Sequence, residues 1–151
     1  PFLRAHAKLR TLTKATSSFR ILSRWQGGII LSPSHANPLP LAWYFRTGGM
    51  DSIRGFSYHA LGNPIIFKNT QLFNATLEAQ KEFIPSVFAN AFVDAGTAGP
   101  HLKHYAVAVG LGLIWESPLG NIELSVGIPL SNPFQHQYKP RLGFALRHNF
   151  F

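Results

Sequence analysis

Apolar and polar residues alternate along most of this chain with a period of two, the spacing that places successive side chains on opposite faces of a β-strand. In residues 3–11, small or aliphatic residues alternate with basic ones. Comparable alternation recurs at residues 19–29, 76–83, 89–94, 106–116, 121–128 and 141–150. The pattern predicts about seven strands of roughly ten residues, joined in part by short turns such as residues 117–120, and no helix.

One segment, residues 32–74, does not follow the alternation throughout and is rich in proline and glycine. It is much longer than the roughly two to six residues of an ordinary connection. Loops of this length in a compact protein are usually functional. We therefore expect this segment to contribute to a functional site.

Two all-β architectures are compatible with the alternation. A soluble sandwich or barrel turns its apolar rows inward, whereas a membrane barrel turns them outward to lipid and lines its lumen with the polar rows. The polar rows here include glycine, alanine and serine, and the basic residues of the first two strands share one side. Aromatic residues also lie towards predicted strand ends, as in the girdles of membrane barrels: Trp25, Phe83, Trp115 and Phe150. These features favour the membrane barrel.

The amino-acid composition excludes several classes of protein and of functional site. Apolar residues make up 46% of the 151 residues, which excludes a disordered chain. The absence of cysteine excludes thiolate metal sites, cysteine nucleophiles and disulfides. Fourteen Lys and Arg against six Asp and Glu give a net charge of +8, which would suit nucleic acid, anionic lipid or a channel for acidic ligands. No apolar run approaches the ~20 residues of a membrane-spanning helix, and no secretion signal is visible.

Four short motifs occur in a distinctive order. The first is the loop segment that contains Gly48, Gly49, Ile53, Arg54, Gly55 and Phe56. Residues 75–78, 92–96 and 115–120 follow it, reading ATLE, FVDAG and WESPLG. Together the motifs resemble the BamA/TamA family of outer-membrane assembly barrels over nearly the whole chain, with FVDAG closer to the TamA branch.

The resemblance implies an antiparallel transmembrane β-barrel in the bacterial outer membrane. The family's barrel has about sixteen strands, so residues 1–151 would be one domain, the C-terminal portion of a longer protein, with an inward-folding loop at about residues 32–74. The partners would be the lipid bilayer, client outer-membrane or autotransporter proteins, and the parent's remaining strands and periplasmic repeats. The rival is a complete eight-strand barrel that uses residues 40–47 as a strand.

The resemblance also assigns roles to residues. Arg54 of the inward-folding loop would contact Glu78 and Asp94 on the barrel wall, and the alternation independently places both acids on polar faces. Gly55 would allow a tight turn, and Phe56 would wedge the loop tip. The final strand would form a weakly paired lateral seam, through its apolar residues Leu142, Phe144, Leu146 and Phe150.

Other chemistry has little support in the sequence. His101 and His104 have no third ligand nearby, and no nucleophile elbow or phosphate-binding glycine loop is present. We therefore expect a non-enzymatic factor without metal or cofactor that assists insertion or secretion of β-barrel or autotransporter proteins. A two-partner secretion pore is an alternative within the same superfamily. A soluble basic domain that binds nucleic acid is another, but the basic residues alternate with aliphatic ones, and we expect no nucleic-acid partner.

Overall fold

The computed structural model describes residues 2–31, 39–62, 70–131 and 139–147. Its regular structure is one sheet of seven strands in sequence order. The strands are β1 (Leu3–Lys14), β2 (Phe19–Leu31), β3 (Gln71–Ile84), β4 (Val87–Gly99), β5 (Ala106–Ser117), β6 (Gly120–Ser131) and β7 (Arg141–Arg147). All neighbouring strands are antiparallel. The predicted fold class and strand number are confirmed.

The connections differ at the two ends of the sheet. Two-residue turns join β3 to β4 and β5 to β6, and residues 15–18 join β1 to β2. The connections at the opposite end are longer, and the longest runs from β2 to β3. Short turns at one end and long loops at the other are typical of outer-membrane barrels. The described residues contain no helix that is long and apolar enough to cross a membrane.

The two faces of the sheet are chemically opposite. One face, here the outer face, exposes aliphatic and aromatic side chains, among them Leu77, Val93, Leu111 and Leu113. The other, the inner face, carries buried polar side chains, among them Asn74, Thr76, Gln80 and Ser125. A soluble sheet would have the reverse arrangement, because water would meet the polar face. An apolar exterior instead matches a sheet whose outer face meets lipid.

The β2–β3 connection supplies the apolar packing. Its described part, residues 39–62, lies against the inner face and buries two clusters there. One cluster contains Ile30, Tyr44, Phe45, Leu72 and Ala98; the other contains Ile53, Phe56, Leu61, Ala106 and Ala108. Hydrophobic burial therefore holds the connection on the sheet, since the rest of the inner face is largely polar.

The strand proposed in the rival interpretation and the expected position of Trp25 are both wrong. Residues 40–47 do not supply an eighth strand, because Leu41–Trp43 form a 3-10 helix and Thr47 makes only an isolated bridge. Trp25 lies in the middle of β2, not near its end, and pairs with Leu9 and Ala75. Trp25 is central because β2 extends to Leu31. The Phe45 ring takes the space beside Gly28 of the same strand, where an added Cβ would lie 2.4 Å from a ring carbon.

Candidate functional site

The tip of the inserted connection is a closed loop, residues 47–61. Thr47 and Leu61 exchange backbone hydrogen bonds of 3.0 and 2.9 Å at its base. Gly48 and Gly49 both have positive φ, at 110° and 100°, which side-chain-bearing residues rarely adopt. The Gly48 amide donates to Ser52 Oγ at 2.8 Å. The glycine pair therefore starts a tight turn that directs the following residues at the sheet.

Arg54 is the centre of the site. Its side chain is 1% exposed, and all three guanidinium nitrogens donate hydrogen bonds. Nε and Nη2 reach the two oxygens of Asp94 at 2.8 and 3.0 Å, and the Arg54 backbone amide donates to the same carboxylate at 2.9 Å. Nη1 donates to Glu78 and, at 3.0 Å, to Glu123. The planar fork of arginine suits this bidentate contact with a carboxylate.

Strand register brings the three acids together. Glu78 lies on β3, Asp94 on β4 and Glu123 on β6, each on the inner face of its strand. Phe92, also on β4, places its ring under the guanidinium, with Arg54 Cζ 3.4 Å from the ring centroid. Each acid is at most 2% exposed, so the guanidinium replaces the water that these carboxylates lose.

Glycines on the sheet make room for the loop. An added Cβ on Gly127 would lie 2.5 Å from the Gly55 amide nitrogen, and one on Gly96 would lie 2.9 Å from an Ile53 methyl carbon. Gly55 itself has a φ of 90°. Gly127 therefore allows the loop backbone to pack directly on the sheet, and Gly96 leaves room for the Ile53 side chain. Phe56 is buried at the tip, beside Ile53 and Leu61.

The predicted seam residues lie apart from the Arg54 site. Leu142, Phe144 and Leu146 are on the outer face of β7, and each is at least 65% exposed. Phe150 lies outside the described residues. β7 pairs with β6 on one side and occupies an edge of the described sheet, opposite β1.

Among the charged residues of the site, sequence reasoning missed Glu123 and Arg147. Glu123 accepts from Arg54 and from Arg147, whose Nη2 also donates to the Met50 carbonyl oxygen at 3.1 Å. The alternation already places Glu123 on a polar face, and that signal could have identified it. Nothing in the sequence indicates that Arg147 reaches the loop, because that contact depends on where the loop lies.

The inner face also borders a cavity of about 690 Å³, between β1 and the Arg54 site. Basic side chains dominate one side of it, including Lys8, Arg10, Arg20 and Arg24. Of these, Arg20 has an acidic partner, Glu116, at 2.6 Å. Within the described residues, no group of three or more His, Asp or Glu side chains is placed to hold a metal ion. His101 and His104 are exposed and lie outside this site.

Comparisons with known proteins agree with this architecture. The sequence profile of the Omp85 superfamily domain matches residues 2–150. A similar solved structure is that of BamA from Haemophilus ducreyi lacking POTRA domains 1-3, with a TM-score of 0.77 and 18% sequence identity. The match covers 95% of the present chain and 35% of the BamA chain, so the present chain spans about a third of that protein's length. At this identity the likeness shows the fold.

Proposed function

The chain belongs to the Omp85 superfamily, and from that premise we propose that it is part of a factor that inserts or secretes β-barrel or autotransporter proteins. The superfamily acts in outer-membrane protein assembly or secretion without enzymatic chemistry, and the chain's location is the bacterial outer membrane. The present chain would supply the wall and the inserted loop of such a barrel. Its partners would be the bilayer and the client proteins.

We further propose that residues 1–151 form the C-terminal portion of a barrel of about sixteen strands. The unpaired outer edges of β1 and β7 in the described sheet support this, because a sheet with open edges leaves backbone groups unsatisfied in lipid. The remaining strands and the periplasmic repeats of the parent chain would complete the protein. The FVDAG motif at residues 92–96 supports placement in the TamA branch.

The observation that carries the functional proposal is the buried Arg54 site. One loop arginine meets acids from three strands, so the docked loop holds β3, β4 and β6 in one arrangement. Such a loop would stabilise the wall while the edge strand β7, with its apolar row Leu142, Phe144 and Leu146, opens towards a client. The client's strand would then pair with the exposed edge, as strands do in β-augmentation.

The test is Arg54→Ala in the full-length protein, with Arg46→Ala as the matched control. Arg46 belongs to the same connection but is exposed. We expect Arg54→Ala to release the loop and to lower the amount of folded client in the outer membrane, measured by heat-modifiable gel mobility. Arg46→Ala should leave it unchanged. Undiminished client assembly by an Arg54→Ala protein whose loop is accessible to protease would overturn the proposal.

A further inference from the structure

Glu123 links the inserted loop to the edge strand. One oxygen of its carboxylate, Oε1, accepts from Arg54 Nη1 at 3.0 Å, and the other, Oε2, accepts from Arg147 on β7. Glu123 is 1% exposed, so both contacts replace water that the carboxylate has lost. Because one carboxylate binds both guanidinium groups, a shift of Arg54 or of Arg147 affects the other.

Arg147 also contacts the loop directly. Its Nη2 donates to the Met50 carbonyl oxygen at 3.1 Å and lies 3.5 Å from Asp51, whose side chain is 81% exposed. The Met50 side chain covers Gly143, which lies on the same inner face of β7 as Arg147, with Ala145 between them. The loop therefore contacts β7 at two places, while the strand's only other partner within the described sheet is β6.

We propose that Arg147 is a positioning residue that couples docking of the loop to the position of β7. The proposal rests on the proposed function only in treating β7 as the strand that moves. When Arg147 holds Glu123 and Met50, the edge strand stays against the loop. When that contact is lost, β7 keeps its hydrogen bonds to β6 and the Met50 side chain beside Gly143, and it separates from the loop more easily.

The contacts of Arg147 are distinct from those that dock the loop on the sheet. Arg54 keeps Asp94 and Glu78 whether or not Arg147 is present, because neither acid contacts Arg147. Loss of Arg147 should therefore loosen β7 and leave Arg54 buried. Arg141 is a matched control, since it lies on the inner face of the same strand and makes no hydrogen bond or ion pair with any described residue.

An engineered disulfide can report the distance between loop and strand. The 151 residues contain no cysteine, so Met50→Cys with Gly143→Cys gives a defined pair once any cysteine elsewhere in the full-length protein is replaced by serine. Met50 Cγ lies 3.3 Å from the position of a Cβ on residue 143. A cysteine Sγ would occupy nearly the place of that Cγ, close to where a disulfide requires it. In the full-length protein, the rate at which this bond forms under a mild oxidant measures how closely the loop and β7 stay together.

We expect Arg147→Ala to slow disulfide formation by about tenfold, the effect of losing charge-assisted hydrogen bonds. Arg147→Lys, which keeps the charge but not the fork, should slow it less, and Arg141→Ala should not change it. Trypsin cleavage after Arg54, read by mass spectrometry, should stay blocked in all three variants because the residue remains buried. If Arg147→Ala does not insert, the comparison of Arg147→Lys with Arg141→Ala decides the question.

Two results would overturn the proposal. An unchanged disulfide rate in Arg147→Ala and Arg147→Lys would show that Arg147 does not hold the strand. Trypsin cleavage at Arg54 in the same variants would show that Arg147 supports the whole loop and not β7 in particular. Neither readout requires a client protein, so a failure of the proposed function would leave the coupling measurable.

Discussion

Cationic side chains occur in two contrasting settings on the inner face. Arg54 is buried and bonded to three of the six carboxylates in the sequence. The basic row of β1, by contrast, is exposed along its whole length, and its Lys8 and Arg10 make no ion pair with any described residue. The two regions have the same kinds of cation but differ in where the sheet places its acids.

The buried arginine has a structural role, whereas the basic residues of β1 remain solvated and free of ion pairs within the described residues. The buried Arg54 guanidinium is stabilised by carboxylates that replace its water, and these contacts hold the Arg54 region in one arrangement. The β1 row borders a cavity and can remain solvated, which costs little free energy and needs no partner. The basic residues of β1 therefore line the cavity as solvated charges, while the few acids determine where the loop docks.

The largest expected effect is that of Arg54→Ala. Removing the guanidinium leaves Glu78, Asp94 and Glu123 buried without their shared cation, and we expect a loss of about 3–5 kcal/mol in the free energy of unfolding. Urea unfolding of the full-length protein in lipid vesicles, followed by heat-modifiable mobility, would measure it. A loss below about 1 kcal/mol, the value of an exposed ion pair, would mean that Arg54 contributes no more than a solvated cation.

Much of the fold was predictable because strand periodicity is local. A period of two specifies which side chains share a face, and the alternation alone is enough to place Glu78 and Asp94 on the polar, inner face. The family resemblance then supplied the contact with Arg54. The wrong placement of Trp25 has a different cause: β2 runs from Phe19 to Leu31, so Trp25 lies at the centre of a strand that is longer than the alternation indicated.

The rest of the site depends on contacts between distant segments. Arg147 reaches Met50 across 97 positions of sequence, and no periodicity encodes where the loop tip rests. Gly127 is similar, since its role is visible only when the Gly55 backbone lies against it. The sequence therefore predicted the wall of the site better than the path of the loop over it.

A comparison of two acids tests burial directly. Asp94 is fully buried and accepts three hydrogen bonds from Arg54, whereas the side chain of Glu116, the partner of Arg20, is 33% exposed. We expect Asp94→Asn to lower the free energy of unfolding by about 3 kcal/mol and Glu116→Gln by less than about 1 kcal/mol. Equal losses in the same urea titration would mean that burial does not decide the strength of these pairs.

A pair of glycine substitutions tests the close approach of the loop. An added methyl on Gly127 would meet the Gly55 backbone nitrogen and Cα at 2.5 and 2.7 Å, and backbone atoms cannot move aside cheaply. Gly127→Ala should cost about 1–3 kcal/mol and increase trypsin cleavage at Arg54. Gly27→Ala is the control, because nothing lies within 4 Å of its added Cβ. A similar loss in both would indicate a general strand effect instead of displacement of the loop.

The smallest expected effect belongs to the β1 row. Arg10 is exposed and without an acidic partner among the described residues, so Arg10→Ala removes a solvated charge. The free energy of unfolding should change by no more than about 0.5 kcal/mol, as for an ordinary surface substitution. The full-length protein is the right test object, because it contains whatever wall faces β1 in the membrane. A loss above about 1 kcal/mol there would mean that an acid outside the described residues pairs with Arg10. The β1 row would then be a second docked region and the contrast with Arg54 would disappear.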